Sequence, residues 1–242
     1  MNPSDVLKRA GVLLYPRECA SCGADLEWDN GDYLCSACRG EVEEIAPPLC
    51  RVCGLPVPGD ARVEVLCRDC RGTRRPFRRA RSVLYYRGAV QAWVKAFKYR
   101  PALWLGPALS RTLANGFRRF YEAGSVDVVV PVPLFRRREK ERGFNQARVL
   151  AAALARDLKV PVAARALVRR RDTATQALLP RSSRPGNVRG AFAVRRSRAV
   201  RGRRVLLIDD VMTTGATLSE CAGVLAAAGA AQVDVLTLAR AV

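Results

Sequence analysis

The sequence predicts an α/β protein in which a parallel sheet, covered by helices, is preceded by a small cysteine-rich domain. Three observations carry that prediction. Short, continuously apolar runs such as "VDVVVPVP" (126–133) and "VLLI" (205–208) are of the kind buried on both faces of a parallel sheet. They alternate with longer stretches of helical spacing over residues 82–242, the pattern of a parallel α/β layer. Eight of the nine cysteines fall into four CxxC pairs before residue 72.

The head, residues 1–72, contains the knuckle turns "CASCGA", "CSACRG", "CRVCGL" and "CRDCRG", separated by stretches with too few apolar residues for a core of their own. Its two halves look like an internal repeat, with 12 residues between the pairs of the first half and 13 in the second. Thiolates at this spacing suit tetrahedral zinc, so the head is expected to be a double zinc ribbon with two structural Zn²⁺ ions. Sequential pairing gives Cys19, Cys22, Cys35 and Cys38 as one site and Cys50, Cys53, Cys67 and Cys70 as the other; a cross-braced pairing satisfies both metals equally well. Four thiolates leave no open coordination position, which makes the metal a folding element.

Residues 73–81 read as a basic linker within the arginine-rich stretch "RGTRRPFRRARS". "SVLYYR" predicts a strand and "AVQAWVKAFKY" a helix with Val90, Trp93, Val94 and Phe97 on one face. After Pro101, "ALWLGPALSRTLANGFRRFYEAG" predicts another helix, and the helical spacing of Trp93 and Trp104 predicts that both pack into the core rather than stack bases. "VDVVVPVP" then gives a buried strand, "RRREKER" a charged loop, and "NQARVLAAALARDLKV" a helix capped by Asn145. Residues 165–204 hold 13 arginines and the single acid Asp172, and their turn composition predicts long loops with a strand or two. The chain closes with strand "RVLLID", helix "TLSECAGVLAAAGA", in which Cys221 is a small core residue, and strand "QVDVLTLARAV".

Composition narrows the function. There are 42 basic residues, only five of them lysines, against 22 acids, for a formal charge of +20, which favours a polyanionic partner such as nucleic acid or a phosphorylated metabolite. Histidine is absent, so imidazole cannot serve as base, nucleophile or metal ligand. No apolar run reaches the roughly 18 residues that cross a bilayer, and "MNPSDVLKRAGVLLYPREC" lacks the features of a signal peptide. A cytoplasmic protein without membrane insertion is expected.

Against that basic background, "RVLLIDDVMTTGATLSE" (204–220) places two acids together. Ligands of an open parallel sheet bind beyond the carboxyl ends of its strands, where Asp209 and Asp210 stand. Met212, Thr213, Thr214, Gly215, Ala216 and Thr217 then lead into a helix, gathering hydroxyls, backbone N–H groups and the positive helix end around one point. Such a loop suits a phosphate, while carboxylates accept hydrogen bonds from vicinal hydroxyls.

The string closely resembles the phosphoribosyl pyrophosphate (PRPP) binding motif of type I phosphoribosyltransferases. Together with "FKY" (97–99), "VPVPLFRRREKERGFNQA" (130–147), "RRRDTATQALLPRSSRPGNVRGAF" (169–192) and the cysteine head, the chain resembles the ComF family of competence-associated proteins over nearly its whole length. The resemblance implies a type I phosphoribosyltransferase fold in which Asp209 and Asp210 bind the ribose hydroxyls near Mg²⁺, and Thr213, Thr214, Gly215, Ala216 and Thr217 hold the 5′-phosphate. It places the pyrophosphate loop at Val132 and Pro133, followed by Lys140, Arg142, Asn145 and Gln146. A mobile loop with Arg171, Thr173 and Gln176 would close over the diphosphate.

Three activities follow as expectations. The first is an accessory role in DNA uptake and natural transformation, handling single-stranded DNA beside the DNA-uptake machinery. The second is Mg²⁺-dependent transfer from PRPP, or a related ribose phosphate, to an unidentified nitrogen acceptor with release of pyrophosphate, in which Asp209 and Asp210 are the catalytic pair. The third is PRPP sensing without turnover.

Overall fold

The structure is a computed structural model that describes residues 18–26, 31, 33–60, 65–99, 102–173, 180 and 183–242. Its centre is a parallel sheet of four strands: β1 (Ala80–Tyr85), β2 (Val128–Pro131), β5 (Arg204–Met212) and β6 (Gln232–Arg240), in the order β1-β6-β5-β2. These are the apolar runs of the sequence, and alternation sends their side chains to opposite faces. Leu206, Ile208, Leu236 and Leu238 join one core with helices α3 (Gly88–Tyr99), α4 (Gly106–Phe120) and α6 (Gln146–Leu158). Val205, Leu207, Val233 and Val235 join a second core beneath α8 (Ala216–Ala227).

Close approach is built in on the first face. A Cβ on Gly116 of α4 would stand 2.2 Å from Val83 Cγ2 of β1, so only glycine lets the helix lie this near the strand. A small antiparallel pair, β3 (Leu167–Arg169) and β4 (Phe192–Val194), flanks the second face. Within the head, short helices α1 (Ser36–Gly40) and α2 (Arg68–Gly72) begin at the second knuckle of each half.

Three local expectations change. "RRREKER" is not a loop but a helix, α5 (Arg136–Arg142), ended by Gly143 in the left-handed region at φ 78°. It buries no residue, so no apolar stripe announces it, and it carries an Arg137–Glu141 pair one turn apart at 3.8 Å. The strand expected to stop at Asp209 continues to Met212, because β6 pairs with it through Met212–Arg240. Trp93 is in the core as expected, but Trp104 is 38% exposed and packs against Tyr33 of the head, ring centroids 4.3 Å apart.

Two of the arginines between head and sheet are held by the body. Arg78 forms a two-pronged bond to the buried Asp234, with Nη2–Oδ2 at 2.6 Å, and Arg79 stacks over Tyr121. No helix among the described residues is long and apolar enough to cross a membrane.

Candidate ribose-phosphate cleft and cysteine sites

Asp209 and Asp210 occupy the carboxyl end of β5, where the apolar side chains that anchor the strand give way to a cleft of about 260 Å³. The chain turns through Thr213 and Thr214 to Gly215, whose φ of 76° makes it the left-handed N-cap of α8. A side chain there would be strained, and its Cβ would meet the Met212 methyl at 2.6 Å. The first-turn amides of α8 therefore open into the cleft together with the hydroxyls of Thr213, Thr214 and Thr217.

The two carboxylates are not equivalent. Asp210 pairs with the half-buried Lys98 of α3, Oδ2–Nζ 3.1 Å. Asp209 Oδ1 accepts the Asp210 backbone N–H at 2.9 Å. Burial and the neighbouring Asp210 charge push the Asp209 carboxyl up to about 7, against the pull of Lys98 and Arg169. One ammonium facing two carboxylates leaves a surplus negative charge, so the donor set fits a divalent cation or the hydroxyls of a sugar diol.

The opposite wall is the turn after β2. Val132, Pro133 and Leu134 line the cleft, and buried Asn145 fixes the turn, its Nδ2 donating to Val132 O at 3.0 Å while its Oδ1 caps α6 through Arg148 N. Gln146 Nε2 reaches Phe97 O at 3.4 Å, tying α6 to the helix that carries Lys98. Asn145 and Gln146 thus line the cleft with their amide donors already engaged in holding it. Arg142 also lines it and bonds Gln146 Oε1 at 3.2 Å.

The other expected residues lie elsewhere. Lys140 is exposed on α5 and does not line the cleft. Arg171 is exposed and donates to the Arg189 carbonyl. Thr173 is buried behind the wall, where its hydroxyl accepts from Arg169 and its carbonyl from Arg138 at 2.8 Å. Gln176, like Trp28, lies outside the described residues.

Sequence reasoning missed Lys98, Arg138 and Arg169 as cleft residues, although "FKY" flagged the first as part of a motif. Arg169 also lines a second, adjoining groove of about 690 Å³ with Arg136, Arg148, Arg165, Arg170 and Arg195. Glu139 is the acid of that groove, and Arg148 pairs with it at 3.1 Å.

The cysteines gather sequentially: Cys19, Cys22, Cys35 and Cys38 in one cluster and Cys50, Cys53, Cys67 and Cys70 in the other, each with its Sγ atoms within 4.8 Å of one another. A zinc ion with Zn–S bonds near 2.3 Å spaces tetrahedral sulfurs about 3.8 Å apart. Cys22–Cys35 at 3.7 Å and Cys53–Cys67 at 3.6 Å match that spacing. In the second cluster, burial pushes the Cys53 thiol up to about 11, while burial of Cys50 is outweighed by backbone N–H donors that bring it down to about 6. Four sulfurs packed at this spacing fit a bound zinc ion that keeps all of them as thiolates.

Two family models match parts of the chain. Residues 11–71 match the double zinc ribbon domain and residues 145–241 the phosphoribosyl transferase domain. The chain is 34% identical to the DNA utilization protein YhgH of Escherichia coli K12 over 95% of this chain and 99% of that one. It is 31% identical to competence protein F of Haemophilus influenzae, covering 92% and 96%, and 31% identical to competence protein ComFC of Bacillus subtilis, covering 98% and 90%. Among solved structures, the allosteric regulatory enzyme of purine biosynthesis aligns at 25% identity and a TM-score of 0.36, over 53% of this chain and 24% of the enzyme.

Proposed function

From the premise that the chain belongs to the ComF family of competence proteins, we propose that it is a cytoplasmic DNA-uptake accessory factor whose cleft binds PRPP with Mg²⁺ and whose arginine groove holds single-stranded DNA. The observation that carries the reading is the placement of the acidic pair, at the end of β5 and directly against the N-terminus of α8. Neutral hydroxyls and an anion are required side by side, and a ribose 5-phosphate presents both. Asp209 and Asp210 accept the sugar hydroxyls, Lys98 orients Asp210, and Thr213 to Thr217 with the α8 amides hold the phosphate. The Val132–Leu134 turn, Arg138 and Arg142 face the diphosphate. Mg²⁺, when bound, supplies charge neutralisation to the diphosphate oxygens. If turnover occurs, these groups position C1 for displacement of pyrophosphate, and Asp210 or water is left to take the acceptor's proton. The six-arginine groove beside this cleft supports the nucleic-acid part of the reading, since phosphate neutralisation dominates single-strand affinity.

Calorimetric titration of PRPP with Mg²⁺ tests the cleft. Binding is expected to be lost in the Asp209→Asn, Asp210→Asn double variant; wild-type protein that takes up no PRPP overturns the reading. Single-strand affinity should fall steeply with salt and further on replacing Arg165, Arg170 and Arg195 by glutamine; salt-independent binding, or binding untouched by those changes, removes the groove from the proposal. Pyrophosphate release with a nitrogen acceptor, absent from the double variant, marks a transferase, and binding without release marks a sensor.

Asp209 provides a folding control. Its carboxyl rises from an ordinary 3.8 to about 7, so between those values the folded protein holds the extra proton and stability falls as pH rises. Without metal or ligand, Asp209→Asn should therefore melt above the wild type at pH 8, with the gap closing toward pH 4. A variant that loses PRPP yet gains stability separates loss of the site from loss of the fold.

A further inference from the structure

We infer that Arg240 is a positioning residue that joins the second cysteine cluster to the ligand loop, so that metal in the cluster and ligand in the cleft each tighten the other. The inference rests on the proposed occupancy of the cleft by PRPP. Arg240 ends β6 in register with Met212, the last residue of β5, and Ala241 N donates to Met212 O at 3.0 Å. Its side chain does not leave the protein: the residue is 4% exposed. Nη1 donates to Cys53 O at 2.6 Å and lies 3.3 Å from Met212 Sδ, and Nη2 lies 3.9 Å from Cys53 Sγ. Nε is buried without a hydrogen-bond partner among the described residues.

A guanidinium held this deep needs a compensating charge, because desolvating a lone cation costs several kcal/mol. The carbonyl of Cys53 and the sulfur of Met212 are neutral. Among the described residues, the group within reach that can carry negative charge is the Cys53 sulfur of the cluster, and a zinc ion held by four thiolates carries two net negative charges. Loaded, the cluster fixes Arg240 in place. Emptied, the knuckle is freed, and the Cys53 carbonyl and sulfur no longer hold the guanidinium from a fixed point.

What Arg240 touches on its other side makes this matter to the cleft. Met212 is 1% exposed, and its methyl sits under Gly215, the N-cap at which the phosphate loop becomes α8. Cys53, Arg240, Met212 and Gly215 thus form one packed file from the metal cluster to the anion-binding end of the helix. If occupancy at one end stiffens the file, linkage requires the same effect at the other.

The test uses the full-length, zinc-loaded chain and a chelating dye that reports zinc release. Two release phases are expected, and Cys22→Ser, which removes the first cluster's metal, identifies the phase of the second. PRPP with Mg²⁺ should slow the second-cluster phase alone. Arg240→Met should speed that phase about tenfold, weaken PRPP binding by about the same factor and abolish the protection, within the usual range of coupling between sites of about 5- to 150-fold. Arg240→Lys, which keeps a charge but not the fork, should fall between, and it carries the test if the methionine variant fails to fold. A wild type that binds no PRPP fails the reading of the cleft. A wild type that binds PRPP with both zinc phases unmoved, or an Arg240→Met variant that binds PRPP normally, fails the coupling alone.

Discussion

The two ribbons are repeats in sequence and opposites in setting. In the first, Cys22 is exposed and Cys35 half-buried; in the second all four cysteines are buried, from 0% to 9% exposure. They join different cores: Cys19 and Cys38 pack on the α3–α4–α6 face of the sheet, the second four on the α8 face. The first ribbon meets the body through Tyr33 on Trp104 and an Arg111 bond to Gly31 O at 3.4 Å, and the segment that leaves it pairs with β1, Ile45 N donating to Val83 O at 2.8 Å. The second pairs with β1 at the cluster itself, Ala80 N donating to Val52 O at 2.7 Å, and is gripped there by two arginines: Arg81, bonded to Arg51 O at 3.3 Å, and Arg240. Repetition kept the paired cysteines and let burial diverge, so that both copies pair with the edge strand β1 but one cluster is partly open to solvent and the other enclosed.

The sharpest way to break this contrast is to remove one thiolate from each cluster. Cys22→Ser and Cys53→Ser should each release one of two zinc ions, but only the second should destabilise the body. Structural zinc contributes about 10 to 16 kcal/mol in isolated fingers, comparable with the whole stability of a domain. A loss of even about 4 kcal/mol lowers the melting temperature by roughly 10 °C in a chain of this size. Cys53→Ser is expected to lose at least that, with the body of Cys22→Ser melting within a few degrees of wild type. Equal shifts in the two variants, measured by thermal unfolding alongside zinc content, erase the distinction.

The sequence-level reading reaches the parts of the protein with local contrast. Continuously apolar strands stand out from an arginine-rich chain, as do paired cysteines and the acids Asp209 and Asp210, and the structure has the strands, the clusters and the acidic pair where those signals point. What it misses lacks contrast. Lys98, Arg138 and Arg169 reach the cleft from three separate segments, and one basic residue among 42 marks nothing until the fold brings it beside Asp210 or Thr173. Helix α5 has no apolar face to set a period, and Trp104 has helical spacing but lies where the head covers it only in part. Sequential rather than cross-braced cysteine pairing is a matter of distance, which spacing along the chain does not fix.

A smaller and more local probe uses the glycine that follows the first CxxC of each ribbon. Gly23 and Gly54 both adopt left-handed backbone, φ 78° and 68°, so alanine at either carries a strain of about 1 to 2 kcal/mol. Their surroundings differ. A Cβ on Gly23 meets nothing within 4 Å, whereas one on Gly54 would stand 2.4 Å from Ala80 O, a backbone atom of β1. Relieving that overlap means prising the knuckle from the strand, with a further cost of about 1 to 3 kcal/mol typical of overpacking. Denaturant unfolding should therefore show Gly54→Ala as the more destabilised of the two, and with faster zinc release from the second cluster; matching midpoints would place the second ribbon as loosely as the first.

The mildest change tests the first ribbon's seam directly. Trp104→Ala removes the ring that Tyr33 packs against, but a residue already 38% exposed has little burial to give up. An aromatic pair contributes about 0.5 to 1.5 kcal/mol beyond its area. That is small against the body and larger against the partly open first cluster, so the effect should be confined to the head: quicker zinc release from the first cluster and earlier proteolytic cleavage near Tyr33, with PRPP binding and the second zinc unchanged. Unchanged release from both clusters and a lowered body melting temperature would mean that the Tyr33–Trp104 contact supports the sheet rather than the head, and that the two copies differ in exposure but not in role.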